Sequence, residues 1–426
     1  MNRQPYTSMA LKSKLTDNER YNLFQDNPDE VEKLISDAVI IAHENFRAGV
    51  SINKFLLKGR CVYSSSCLKE KLILRHTNVN LRGAKEGILK QRNTIIEEIK
   101  INLREGAKYR VYRLDIKSFF ESVNLEILIA IVNGKKYLSR HTKNIIEWYL
   151  RTCERTYDSK GLPRGLEISP ILSEIYLSEF DNKIKNEKNI FYYARFVDDI
   201  IIISSGEENE HELIKKIEAL LPEGLVLNTT KHKKSISPLI PKRKQGVDPD
   251  GTLVYKFDFL GYSFSIIDSV LINKKIANSC YRQVNTDLSE NRLKKIKTRI
   301  SKSFYSYKKN GDFKLLIDRI SFLTSNRDLK RKIKNPSLVD KLKISTGIYY
   351  SNAKLDINSK SLSALDDFLV FCTNSNKHRL SKKNTYSLGK NQKKELLRNS
   401  FKKGFIERIY RKYNYGRYKE ITKIWL

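Results

Sequence analysis

Phe191-Tyr192-Tyr193-Ala194-Arg195-Phe196-Val197-Asp198-Asp199-Ile200-Ile201-Ile202-Ile203 is the stretch on which the fold turns. Two short, strongly β-prone apolar runs, 191–196 and 200–203, flank Val197-Asp198-Asp199, which predicts a buried hairpin with acids at its turn. Adjacent carboxylates raise each other's pKa and resist burial. A divalent cation removes that cost, and magnesium favours hard oxygen ligands, usually one or two carboxylates plus substrate phosphates. The turn therefore reads as half of a metal site. An acid pair alone also suits a solvated turn: Asp366-Asp367 lies between Leu365 and Phe368 in a run with ordinary amphipathic helix spacing.

The other half lies upstream. Tyr109 to Ile116 alternates as a strand, with Tyr109, Val111, Arg113 and Asp115 on one side and Tyr112, Leu114 and Ile116 on the other. Asp115 ends it, just before Phe119 and Phe120. With this strand beside the hairpin, Asp115, Asp198 and Asp199 would converge on two metal ions, the arrangement used for in-line displacement at phosphorus. The plain alternative has Asp115 capping a helix. Helices are predicted near 28–41, 95–103, 125–132, 142–155, 169–185 and 208–221, a strand at 225–228 and a strand pair around 253–266. Residues 1–27 are polar and turn-rich, 51–100 are mixed and basic, and beyond Asp268 basic helices follow at 291–307 and 312–323. The fold class expected is α/β.

The chain has 426 residues, enough for two or three domains, and a formal charge of +33. Such an excess repels itself and calls for a polyanion, nucleic acid before an anionic membrane face. Residues 376–426 concentrate it, with 16 Lys and Arg against 3 Glu, interleaved with Tyr410, Tyr413, Tyr415 and Tyr418. This composition suits RNA, since cations track phosphates and rings stack on unpaired bases; the bland reading is a solvated helical face. Five cysteines without a Cys-x-x-Cys pair argue for reduced thiols, and with no secretory or membrane-spanning run a cytoplasmic location is expected.

Five ordered blocks sharpen this: Arg113-Leu-Asp-Ile-Lys-Ser-Phe-Phe120, Gly161-Leu-Pro-Arg-Gly-Leu-Glu-Ile-Ser-Pro170, Tyr193-Ala-Arg-Phe-Val-Asp-Asp199, Leu227-Asn-Thr-Thr-Lys231 and Phe259-Leu-Gly-Tyr262. Their sequence and spacing resemble the palm of reverse transcriptases, blocks A to E, across about Ile73 to Phe264. The resemblance implies a right-hand polymerase with Asp115, Asp198 and Asp199 as catalytic acids and ligands of two Mg2+ ions, for which Mn2+ can substitute. It makes Phe120 the bulky residue that excludes a 2′-hydroxyl, leaving Phe119 to the core. Pro163, Arg164 and Gly165 match the loop that touches the templating pair and the incoming nucleotide, with Arg164 where many relatives carry Gln. Lys231 matches the lysine that protonates pyrophosphate, although His232, Lys233 and Lys234 leave the register open. Phe259, Leu260, Gly261 and Tyr262 match the primer grip. Arg75, Arg82, Lys85 and Arg92 are candidates for the triphosphate.

The expected division is an N-terminal helical extension (1–50), fingers (51–108), palm (109–266, with interleaved fingers helices at about 125–160), basic helical thumb (267–345) and basic helical C-terminal domain (346–426). The retron thumb signature is missing, as is the Cys- and His-rich endonuclease module of group II intron proteins. The block B run and Thr346-Gly-Ile-Tyr-Tyr-Ser-Asn352 look more like the bacterial defence-associated reverse transcriptases, nearest the type 3 system. That resemblance implies an antiphage role, dNTPs as substrates, an RNA template that is a dedicated non-coding RNA, a DNA product, and a second reverse transcriptase or another copy of the chain as partner, with no membrane. The rival readings are an RNA-dependent RNA polymerase and a non-catalytic RNA-binding scaffold; retron-like and intron-like biology are the alternatives to defence.

Overall fold

The computed structural model describes residues 4–16, 19, 28–47, 49–57, 59–84, 90–230, 233–243, 251–268, 281–329, 344–374 and 388–425. The chain separates into two compact units, one built on Met1–Lys90 and Lys108–Pro241, the other on Gln91–Ala107, Lys242–Lys332 and Pro336–Leu426.

In the first unit, the expected helix runs over Pro28–His43, with Asp29 and Glu30 in its first turn, where their charges complement the helix dipole. Its Val31, Ile35, Ala38 and Ala42 are buried at helical spacing. An antiparallel hairpin follows, β1 (Ile52–Leu57) and β2 (Arg60–Ser65), and then the helix Leu68–Ala84. This hairpin was not legible in the mixed 51–100 stretch because β1 buries only Ile52 and so lacks an apolar alternation.

The main sheet contains β3 (Arg110–Asp115), β4 (Ile190–Phe196), β5 (Asp199–Ser204) and β6 (Ser235–Ile236), in the order β4-β5-β3-β6, all antiparallel. Ile200 to Ile203 are wholly buried, so the unbroken apolar run of β5 marks a strand covered on both faces. One core joins Leu114, Ile200 and Ile202 to Leu128, Ile145, Leu172 and Ile217 from the covering helices. These include Leu125–Gly134, capped by Asn124, Arg140–Tyr157, capped by Ser139, and Glu210–Leu220, capped by Asn209. The single helix expected over 169–185 is two, Ser169–Tyr176 and Ser178–Lys185, and at the break the Ser178 hydroxyl donates to the Ile175 carbonyl. The strand expected at 225–228 is a coil segment tied to the sheet by one bridge, Leu227 opposite Ile116.

The second unit has an antiparallel sheet of β7 (Thr252–Phe259), β8 (Tyr262–Asp268) and β9 (Gln283–Leu288), in that order. The helix Glu290–Asn310 follows, capped by Ser289 and closed by Gly311 at φ 69, a conformation glycine adopts without strain. Next comes Phe313–Thr324, capped by Asp312. Farther on, Asp366 in the helix Lys360–Asn374 accepts from the Ser400 hydroxyl and from the Phe401 and Lys402 amides. The first acid of the Asp366-Asp367 pair thus helps to cap the helix Phe401–Ile406. The basic tail is not uniformly open: Tyr413 and Tyr418 pack on Phe322, while Tyr410 and Tyr415 stay exposed. No helix among the described residues is long and apolar enough to cross a membrane.

Candidate active site

The register of the main sheet decides the site. β3 and β5 pair so that Asp115 faces Asp199 directly, and the Ile116 amide donates to the Asp198 carbonyl at 3.1 Å. The three acids predicted to meet are therefore brought to one end of the sheet. Asp115 is 3% exposed. Its Oδ1 accepts from Lys233 Nζ at 2.6 Å and its Oδ2 from Asn228 Nδ2 at 3.0 Å. Burial, then the charge of Asp198, pushes the Asp199 carboxyl up to about 6; burial and the charge of Asp115 also raise Asp198. Burial works against the ammonium of Lys233, yet the hydrogen bond and charge of Asp115, with Asp199 and Asp198, raise its pKa.

Among the described residues, no group of three or more His, Cys, Asp or Glu side chains is arranged to hold a metal ion as they stand. The donor chemistry nevertheless fits a hard divalent cation. Three carboxylates share one corner of the sheet, two are driven toward their neutral forms by burial and by the charge of their neighbours, and a lysine ammonium reaches in beside them from a loop.

The turn carrying the acids is itself held under load. Val197 sits at φ 61, a backbone conformation that a β-branched side chain resists. Arg195 opposes that strain. Its side chain is 3% exposed, its Nη1 donates to the Val197 carbonyl at 2.9 Å, and its remaining edges bind Glu174 and Asp181 at 2.7–3.1 Å. An arginine inside an apolar strand run is the sequence signal for such a clamp, since a buried guanidinium needs acceptors. Asn228 was equally recoverable: its side-chain oxygen takes the Thr230 amide, forming the turn that delivers Lys233.

Phe119 and Phe120 are both buried, at 1% and 8% exposure, with Phe120 the more open. Arg164 lies over the Phe120 ring, 4.6 Å from its centroid, and pairs with Glu121 at 3.2 Å. Its carbonyl accepts from the Tyr63 amide at 2.7 Å. Gly165, at φ 104, leaves no room for a Cβ, which would lie 2.6 Å from the Tyr63 carbonyl oxygen. The Pro163 carbonyl accepts from the Ser169 hydroxyl. Block B and Phe120 are thus one assembly beside the hairpin β1–β2.

The described triphosphate candidates each have a partner within their own unit. Arg75 is engaged by Glu19 through two hydrogen bonds, at 2.8 and 3.0 Å, and by the Lys14 carbonyl. Arg82 donates to Asn78 within its own helix. Arg92 belongs to the second unit, where it donates to the Leu260 carbonyl and stacks on Tyr262 at 4.7 Å. Lys85 and Lys231 lie outside the described residues; among the described residues the lysine bonded to Asp115 is Lys233.

The block E turn, Phe259 to Tyr262, lies in the second unit as the β7–β8 turn, with Leu260 at φ 46 and Gly261 at φ 79. Phe259 and Tyr262 are buried, and a Cβ on Gly261 would crowd the guanidinium groups of Arg292 and Arg92 at 3.2 and 3.3 Å.

Comparison with known proteins bears on the same stretch. Residues 46–264 match the family described as Reverse transcriptase (RNA-dependent DNA polymerase). An uncharacterized 91 kDa protein in a cob intron of Schizosaccharomyces pombe is 36% identical over 83 residues, which are 18% of this chain and 10% of that protein. The chain thus spans about a tenth of the curated relative it matches. Among solved structures, apo telomerase from Candida tropicalis aligns at a TM-score of 0.36 and 13% identity, over 85% of this chain and 62% of that one. Telomerase from Candida albicans in complex with a fragment of telomeric RNA aligns at 0.35 and 13%, over 88% and 61%. The family match covers just over half of the sequence and contains blocks A to E, with all three acids: the chain belongs to the reverse transcriptase (RNA-dependent DNA polymerase) family.

Proposed function

We propose that this chain is an RNA-directed DNA polymerase that transfers deoxynucleotides to a primer 3′-hydroxyl on an RNA template. The observation that carries the reading is the strand register that sets Asp115 opposite Asp199, with Asp198 in the adjoining turn. Asp115, Asp198 and Asp199 would hold two magnesium ions, whose chemistry is to activate the attacking hydroxyl and to neutralise charge on the leaving pyrophosphate. Arg195 keeps the acidic turn in place through the Val197 carbonyl. Asn228 orients the Asp115 carboxylate, and Lys233, already charged beside it, is placed to give a proton to a departing phosphate. Phe120, braced by Arg164, forms the wall against which a deoxyribose would rest, and Phe259 to Tyr262 would seat the primer end. The sequence-based fingers, palm and thumb division is the domain reading we adopt with this mechanism.

Primer extension on an RNA template with purified protein tests this. Wild type should extend in Mg2+ and the Asp115→Asn variant should not; a wild type that binds the primer–template yet never extends it in Mg2+ or Mn2+ would leave the scaffold reading in its place.

For biology, we propose bacterial antiphage defence on a dedicated non-coding RNA, on the strength of the block B run and the Thr346–Asn352 motif. The second reading is an intron-type enzyme, favoured by the 83-residue match to an intron-encoded protein. Sequencing RNA that copurifies with the chain separates them: a single non-coding species supports defence, and an intron supports the second reading.

A further inference from the structure

The second unit contains a cleft of about 500 Å³ that no step of the polymerase reading uses. It opens between the helix Phe313–Thr324, the segment after the helix Lys390–Leu396, and the loop that leads into the helix Tyr415–Thr422. Three exposed cations rim it, Arg398, Arg411 and Lys412, and none forms an ion pair among the described residues. Its floor is polar and fixed. The Ser321 hydroxyl donates to Asn399 Oδ1 at 2.8 Å, which leaves the Asn399 amide nitrogen to donate to the Leu396 carbonyl at 3.2 Å.

Charge bookkeeping decides what such a cleft would take. Two carboxylates line it, Asp318 and Glu395. Asp318 is neutralised by Arg417, whose Nε donates to it at 2.6 Å while its Nη1 donates to Glu420 at 2.7 Å. With Glu420 counted, three carboxylates stand against Arg417 and the three rim cations, so the opening is still net positive. Its volume suits one or two nucleotide units rather than a lone ion. A strand lying across the rim would meet cations at successive phosphates, and the exposed residue Tyr415 directly follows the lining residue Asn414 in sequence.

We propose that this cleft binds the phosphodiester backbone of a single nucleic-acid strand, separately from the acidic corner of the first unit. The rim cations would grip phosphates, contacts that hold a strand in place without reading its sequence. The inference does not rest on the polymerase reading: strand binding is measured directly, and the catalytic variant Asp115→Asn retains it.

The experiment uses full-length protein and a fluorescent 12-nucleotide RNA, followed by anisotropy across a salt series, with a DNA strand of the same sequence as a second arm. The triple variant Arg398→Gln, Arg411→Gln, Lys412→Gln should lose about tenfold in affinity at moderate salt, and its log K against log salt slope should fall by about 2, since three phosphate contacts disappear. A control that removes exposed charge elsewhere, Lys215→Gln with Lys309→Gln, should bind within about twofold of wild type. On wild type, bound RNA should shield Lys412 from amine acetylation while Lys215 reacts as before, which gives a readout independent of variant folding. Unchanged affinity and slope in the triple variant, an equal loss in the control, or an unshielded Lys412 would overturn the site. Competition by inorganic pyrophosphate as strong as that by RNA would overturn the assignment to a strand. Equal binding of RNA and DNA supports a backbone site, whereas strict dependence on one base sequence contradicts it.

Discussion

Arg195 Nη1 donates to the carbonyl of Val197 at 2.9 Å, so the residue that bears the backbone strain of the acidic turn is held by the most deeply buried charge near it. Removing the guanidinium leaves Glu174 and Asp181 without their shared cation. Arg195→Met should destabilise the protein by about 3–5 kcal/mol, measured by urea unfolding. Arg195→Lys, which restores charge without the planar fork, should recover part of that stability yet require more magnesium for half-maximal extension. If Arg195→Lys matched wild type in magnesium dependence, the clamp would have no bearing on the acids.

The lysine on Asp115 is the next point at issue. Lys233→Ala should slow extension by roughly 10- to 100-fold with little change in primer–template affinity, as expected for loss of a proton donor, and Lys233→Arg should restore less than half of it. Lys231→Ala provides the comparison. A greater loss at Lys231 than at Lys233, read from single-turnover extension rates, would move the role back to the position the sequence first indicated.

Sugar discrimination should follow Phe120 and its brace. Phe120→Ala should raise ribonucleotide incorporation relative to deoxynucleotide by about 10-fold or more, while Arg164→Gln should retain extension but raise misincorporation of ribonucleotides less. Competition assays with paired dNTP and rNTP measure both ratios. No change in Phe120→Ala would remove it from the sugar pocket.

Arg75 is predicted to act on stability rather than on nucleotide binding. Burial opposes ionisation of Glu19, but hydrogen bonds from Arg75 and Thr16 outweigh it and bring the carboxyl down to about 2. A carboxyl depressed in the folded state stabilises above its unfolded pKa, and that contribution fades as pH falls from about 4.5 toward 2. Glu19→Gln should therefore cost on the order of 2 kcal/mol at pH 7 and progressively less below pH 4, by denaturant unfolding. Arg75→Gln should show the same pH trend and leave the KM for dNTPs unchanged.

Much of this was legible in the residues. Ile200 to Ile203 announced a strand buried on both faces, and the acids at its start need a third carboxylate to complete a metal site, which Asp115 supplies from the neighbouring strand. What stayed hidden has physical reasons. β1 faces solvent almost throughout, so no alternation advertised it. Lysines 231, 233 and 234 are equivalent by type, and only the turn that Asn228 makes with Thr230 shows that Lys233 reaches the carboxylate. Arg75 looked available because its partner Glu19 lies 56 residues earlier, at a distance that sequence spacing cannot convey. Tyr413 and Tyr418 look like open rings in a basic tail, because their contact with Phe322 joins positions about 90 residues apart in the chain.

The seam between Tyr63 and Gly165 has a mechanical meaning. With the Tyr63 amide bonded to the Arg164 carbonyl and the next residue unable to accept even a methyl group, the hairpin and the block B loop have no hinge between them. Arg164 then extends that rigid coupling through its side chain to Phe120 and Glu121. A tilt of the hairpin is passed on through Arg164 as a displacement of the Phe120 ring, so ribbon and ring travel together.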